Sequence, residues 1–170
     1  MKNFEEMEKY LREHNKKLDK LDYLIEEGYF SKSWYEAILY MLLEDKPKRV
    51  IDVGCCLGLF SYMFENEGIE YIGIDLNKYN RYESEKVKYI QGDYLDLVDE
   101  FKDDVIISVL CIGYLIDIKD VKAKRLIIND LEFAHTMKYG TIPIAREIKL
   151  DQNNTWGDKS WWEELAIRLD

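Results

Sequence analysis

Val50-Ile51-Asp52-Val53-Gly54-Cys55-Cys56-Leu57-Gly58-Leu59-Phe60 is the stretch on which the reading of this chain turns. Four residues of β character enter a glycine turn, which opens onto a run rich in Leu, Phe and Met. A strand that passes through a glycine turn into a helix places backbone N–H groups and the positive end of a helix dipole at the carboxyl edge of a sheet. Open α/β folds bind ligands at that edge, so the stretch predicts a nucleotide site. The helix is expected from about Leu57 to Asn66, with Gly68 as a left-handed C-terminal cap.

Working outward, Glu70-Tyr71-Ile72-Gly73-Ile74-Asp75 reads as a second strand tipped by an acid. There a carboxylate can accept two ribose hydroxyls. Lys78 to Glu85 lacks a clean period and reads as a loop or short helix, and Val87 to Gln91 reads as a third strand followed by Gly92-Asp93-Tyr94. Val105 to Leu110 is a continuous apolar run, as a strand buried on both faces should be. Arg125 to Asn129 is a fifth strand ending at Asp130, followed by a helix to Tyr139, and Ile142 to Leu150 is a sixth strand. Residues 160–169 support two readings: Ser160 with Glu163 suggests a capped helix, whereas Leu165, Ile167 and Leu169 suggest a strand. A terminal strand is preferred, because the sixth would otherwise leave an open apolar edge.

The glycine turn resembles the first signature of class I S-adenosylmethionine-dependent methyltransferases, Asp/Glu-x-Gly-x-Gly-x-Gly. Asp52, Gly54 and Gly58 stand at the acid, first-glycine and last-glycine places, with Cys56 replacing the middle glycine. Gly92-Asp93-Tyr94 resembles the family's third signature. The resemblance spans about residues 48–150 and implies an α/β, Rossmann-like class I methyltransferase sandwich. Its mostly parallel twisted sheet would hold six or seven strands, with helices on both faces and an N-terminal helical extension. It implies S-adenosylmethionine as cofactor, held by Asp52, Gly54, Cys55, Gly58, Asp75, Leu76, Asp93, Tyr94 and Leu110. In these roles Asp75 takes the ribose, Leu76 rests against the adenine, Asp93 accepts the adenine amino group and Tyr94 flanks the ring. An antiparallel seventh strand is also implied.

The acceptor side is less defined. Amino-methylating enzymes of DNA carry Asn/Asp-Pro-Pro-Tyr after the fourth strand, whereas this chain has Ser108-Val109-Leu110-Cys111-Ile112-Gly113-Tyr114. That points to a small molecule or a protein side chain as acceptor. Tyr29, Trp34 and Tyr114 are candidates for its pocket, and Asp130 and His135 for catalysis, His135 having an ordinary pKa near 6.5 that suits a general base. No His or carboxylate cluster suggests a metal. Two other readings stay open: a cofactor-binding subunit without catalysis that acts through a partner, and an NAD-linked oxidoreductase. The second is weakened because Gly-x-Gly-x-x-Gly fails at Cys56 and Leu59.

Residues 1–27 read as a helix with an apolar seam of Phe4, Met7, Leu11, Leu18, Leu21 and Ile25, broken at His14. The seam suits packing on its own domain or on a second copy, which makes a homodimer through this helix an option. After Gly28, a second helix is expected from Ser33, boxed with Glu36, to about Asp45, where Pro47 stops it. Tyr29, Phe30, Trp34 and Tyr35 serve either as a lid or as core. Residues 1–46 are thus expected as a helical segment packing on or capping a core of residues 47–170, one domain overall.

A formal charge of −10 over 170 residues argues against a general nucleic-acid binder, which needs clustered Lys and Arg. Lys46, Lys48 and Arg49, and Lys119, Lys122, Lys124 and Arg125, flank strand starts and read as solvated edges. Cys55, Cys56 and Cys111 lack disulfide or zinc spacing and read as reduced thiols. With no apolar run at the amino terminus or of membrane-crossing length, a cytoplasmic protein without membrane association is expected.

Overall fold

Short runs of Val and Ile between polar turns form strands because β-branched side chains pack well on a pleated surface. The computed structural model describes residues 1–15, 32–44, 46–109 and 121–129, and the backbone of 144–148 and 166–168. In chain order these form α1 (Phe4–His14), α2 (Lys32–Leu43), β1 (Arg49–Val53), α3 (Ser61–Asn66), β2 (Glu70–Asp75) and β3 (Val87–Gln91). A 3₁₀ turn (Tyr94–Asp96), β4 (Val105–Val109), β5 (Arg125–Asn129), β6 (Ile144–Ile148) and β7 (Ala166–Arg168) follow.

The strands make one seven-stranded sheet in the order β3-β2-β1-β4-β5-β6-β7. Pairing is parallel from β3 through β5. It turns antiparallel at β5–β6 and again at β6–β7. Antiparallel pairing therefore begins one strand earlier than the resemblance implied. The strand order reverses between β1 and β4, where Ser108 Oγ donates to the Val53 carbonyl at 2.9 Å. Such a reversal opens a crevice at the carboxyl ends of the strands.

Period two divides the sheet into two cores. On one face Val50, Tyr71, Val105, Ile107 and Ile127 pack against Met7 and Leu11 of α1, Ile38 and Leu42 of α2, and Phe60 and Phe64. On the other, Ile51, Val53, Ile72, Ile74, Ile106 and Leu126 meet Tyr94, Phe101 and Val121. Arg49 and Asp104 close the lower end of the β1–β4 pair with a two-pronged hydrogen-bonded ion pair.

The expected first helix is cut short. Asn3 and Glu6 form a reciprocal capping box at the start of α1, but the helix ends at His14 because Asn15 leaves the helical conformation. The Asn15 side-chain amide donates to the Leu11 and Asn80 carbonyls, both at 2.9 Å, which satisfies a terminal acceptor and ties the end down. Phe4, Met7 and Leu11 are spent on the protein's own core, Phe4 stacking on Phe60 with centroids 6.0 Å apart. Leu18, Leu21 and Ile25 lie outside the described residues. The second helix starts before Ser33, at Lys32, whose Nζ pairs with Glu36 at 3.0 Å, so Ser33 is inside the helix rather than at its cap. No helix among the described residues is long and apolar enough to cross a membrane.

Candidate functional site

The turn after β1 is built from backbone that resists helix. Gly54, Cys56 and Gly58 all take left-handed φ values of 77°, 49° and 64°. This alternation delays α3 to Ser61, which corrects the expected start near Leu57. Gly54 and Cys55 both donate their N–H to the Ile74 carbonyl, at 2.8 and 3.3 Å, and Gly58 donates to the Cys55 carbonyl at 2.9 Å. The Cys56 N–H donates to Asp75 Oδ2 at 2.9 Å. Four amides of the turn are thus consumed inside the protein, and the anion cradle expected of an open glycine turn is not formed by them.

Parallel register sets Val53 opposite Ile74 and Asp75 opposite Gln91, so the ends of β1, β2 and β3 fall side by side. Gly54, Asp75, Leu76, Gly92, Asp93 and Tyr94 line one hollow there, with Val53 and Ile74 beneath. It is narrow, about 30 Å³, close to the share of one liquid water. Asp75 Oδ1 accepts the Asn77 N–H at 2.7 Å, and Asp93 Oδ1 caps the 3₁₀ turn by accepting the Leu95 N–H at 3.0 Å. A carboxylate has about four acceptor sites, so both retain capacity toward a ligand. Leu76 and Leu95 stand exposed beside them, two apolar surfaces flanking the acids. Gly92 is left-handed in no sense and a Cβ there would meet nothing within 4 Å, so neither backbone nor packing demands a glycine. What its bareness leaves is room in the hollow.

Three of the residues expected around the cofactor face the other way. Asp52 is fully buried and accepts from the Tyr71 hydroxyl at 2.6 Å and the Tyr35 hydroxyl at 3.1 Å, both on Oδ2, while Oδ1 has no partner. Burial lifts its pKa to about 6 against the opposing pull of the two tyrosine hydrogen bonds, and the charge of Asp75 adds to the rise. Burial next to Asp52 in turn pushes both tyrosines well above their ordinary range. Cys55 is buried with its Sγ packed so close to Gly73 that a Cβ there would lie 2.6 Å from it, and burial raises its thiol pKa. Gly58 is required twice, by its φ and because a Cβ would collide with the Tyr89 ring.

Of the expected site residues, Gly54, Asp75, Leu76, Asp93 and Tyr94 therefore meet at the hollow, whereas Asp52, Cys55 and Gly58 support it from behind. Tyr94 does both, since its buried ring joins the lower core and its hydroxyl donates to the Lys122 carbonyl at 3.0 Å. Trp34 is buried and does not line the hollow. Tyr29, Leu110, Tyr114, Asp130 and His135 lie outside the described residues. Arg81 and the pairing of Tyr35 and Tyr71 with Asp52 had no counterpart in the sequence reading, whereas Tyr35, expected as lid or core, lies in the core. Tyr35 and Tyr71 reach Asp52 across 17 and 19 residues and Arg81 reaches Cys56 across 25, so no local pattern marks these contacts. Among the described residues no three His, Cys, Asp or Glu side chains gather to hold a metal ion. A roomier groove, about 650 Å³, lies between α1, Asn66 and Tyr82, but none of the expected residues lines it.

A family model described as a methyltransferase domain matches residues 51–125. No protein of curated function matches in sequence. The fold is similar to that of Burkholderia thailandensis 1,6-didemethyltoxoflavin-N1-methyltransferase, solved with its substrate and S-adenosylhomocysteine, at TM-score 0.50 and 18% identity over 76% of this chain and 61% of that one. A Listeria monocytogenes chain described as a candidate S-adenosylmethionine-dependent methyltransferase aligns at TM-score 0.47 and 23% identity, covering 56% of this chain and 53% of that one. A candidate methyltransferase of an antibiotic-biosynthesis pathway in Anabaena variabilis aligns at 0.45 and 18%, covering 55% and 42%. The chain thus spans about half the length of these relatives.

Proposed function

We propose that this chain, whose residues 51–125 match a methyltransferase-domain model, is a class I S-adenosylmethionine-dependent methyltransferase and binds that cofactor across the ends of β1, β2 and β3. We propose further that it transfers the methyl group to a small molecule or a protein side chain. The observation that carries this reading is the convergence of Gly54, Asp75 and Asp93, from three successive strand ends, on one hollow. The residues fit the ligand in shape and in charge. A Cβ at Gly92 would meet nothing within 4 Å, and the exposed Leu76, which lines the hollow, offers apolar surface to a flat ring. The hollow holds about one water's volume, so a nucleoside lies over it and not within it.

Charge separates this ligand from a dinucleotide. A pyrophosphate wants free backbone amides, and the amides of Gly54, Cys55, Cys56 and Gly58 are already bonded. It would instead approach two carboxylates. A cationic nucleoside gains from the same acids.

When bound, the sulfonium supplies an electrophilic methyl carbon whose leaving group departs neutral. The protein's own part is to hold and align. Asp75, both of whose oxygens are fixed by backbone N–H groups, accepts the ribose hydroxyls without having to reorganise. Asp93, fixed as a cap, accepts the adenine amino group. The buried strand ends Val53 and Ile74 keep water from below. Alignment of acceptor and methyl carbon in such a frame supplies much of the barrier reduction.

Isothermal titration with S-adenosylhomocysteine tests the site. Saturable binding is expected, weakened roughly tenfold or more in Asp75→Ala, because a hydrogen bond to a charged group contributes about 1.5–3 kcal/mol. Binding of NADH with none of S-adenosylhomocysteine would reject the reading. Methyl transfer by the purified chain separates an enzyme from a subunit that carries the cofactor for a partner.

A further inference from the structure

Arg81 is the one buried cation behind the glycine turn among the described residues, with only 8% of its surface exposed. Burying a guanidinium is costly unless its N–H groups are bonded and its charge is balanced. Here Nε donates to the Cys56 carbonyl at 2.6 Å and Nη2 to the Asn77 carbonyl at 2.9 Å. The rings of Tyr79 and Tyr89 sit with their centroids 5.1 Å from the guanidinium carbon. Asp75 Oδ1 lies 3.9 Å from Nη2, a balancing charge rather than a close ion pair.

These contacts close a circuit. The Cys56 N–H donates to Asp75 Oδ2, the Cys56 carbonyl accepts from Arg81, Arg81 also donates to the Asn77 carbonyl, and the Asn77 N–H donates to Asp75 Oδ1. One residue in left-handed conformation, Cys56, is thereby gripped at both its N–H and its carbonyl. Both oxygens of Asp75 are set by the same circuit. Residues 76–86 contain no helix or strand, and beside the Gly54 and Cys55 bonds to the Ile74 carbonyl the circuit ties the Asp75 side chain itself to Cys56 and to the loop that follows.

Resting on the reading of the hollow as a nucleoside site, we propose that Arg81 is a positioning residue for the cofactor: its two-carbonyl bridge holds Asp75 and the glycine turn in binding register. A planar fork can span two carbonyls in fixed geometry, and a lysine ammonium cannot. Arg81 itself touches no ligand, since it does not line the hollow.

The test is calorimetric titration of wild type, Arg81→Lys and Arg81→Ala with S-adenosylhomocysteine and with adenosine, alongside each variant's melting temperature. Arg81→Lys, which keeps charge and packing, is expected to bind both ligands about tenfold more weakly, by the same factor for each, because the fault lies at the ribose. In Arg81→Ala, low-millimolar guanidinium is expected to restore affinity, which loss of general stability would not permit. Binding by Arg81→Lys within about twofold of wild type overturns the proposal. So does loss of binding without guanidinium rescue, or failure of both variants to fold, either of which assigns Arg81 to folding alone. If wild type binds neither ligand, the reading of the site fails instead.

Discussion

Asp52 is a carboxylate with a cost attached. Its pKa of about 6 in the folded protein exceeds its ordinary 3.8, so the folded chain keeps this proton longer than the unfolded chain does. Below pH 4 both states hold it and there is no penalty. As pH rises from about 4 to 6 only the unfolded state releases it, and stability falls by roughly 3 kcal/mol, to a plateau above pH 6. Urea titrations of wild type and Asp52→Asn across this range should therefore diverge, the variant gaining on wild type up to pH 6 and holding its gain above. A constant difference would mean Asp52 does not titrate there. Gly58→Ala should cost roughly 2–4 kcal/mol, from a left-handed backbone and a collision with Tyr89, and a midpoint shift in urea would read it. The motif made Asp52, Cys55 and Gly58 look like ligand contacts because adjacency along the chain shows register but not facing. Asp52 shares its side of β1 with Val50, and nothing local says that this side is the one the helices cover.

Among the elements, α1 does more than cover the sheet. Its end is stitched to the loop after β2: Asn15 Nδ2 donates to the Asn80 carbonyl, the Asn80 N–H donates to Asn15 Oδ1 at 3.0 Å, and Asn80 Nδ2 donates to the His14 carbonyl at 2.7 Å. Asn80 precedes Arg81, so the stitch reaches the circuit around Asp75. Asn15→Ala removes two side-chain donations and one acceptance at a partly exposed site, and should lower stability by about 1 kcal/mol. It should also speed hydrogen exchange at the Asn80 amide. Unchanged exchange there would show that the loop is held by other contacts. The seam of Phe4, Met7 and Leu11 was legible because it follows helical spacing, but the stop at Asn15 was not. Its cause is a partner 65 residues further along the chain.

Across the whole molecule, the strand pattern was the legible part. β2, β3 and β5 run over the residues expected of them, β4 does so as far as the described residues reach, and β1 begins one residue early, at Arg49. Continuous Val and Ile runs announce strands buried on both faces whatever their neighbours are. The antiparallel entry of β6 was not legible, since direction of pairing depends on the path between strands and not on their composition. The same limit hid the bridge from Arg81 to the Cys56 carbonyl, 25 residues back along the chain. The parallel register of β1, β2 and β3 turns three separate motifs into one place, the proposed adenosine site. A crystal structure of the chain with S-adenosylhomocysteine measures this directly. The ribose hydroxyls should lie within hydrogen-bonding distance of Asp75 and the adenine amino group within that distance of Asp93. Density for the nucleoside elsewhere, such as the groove beside α1, with both carboxylates left to solvent, would contradict it.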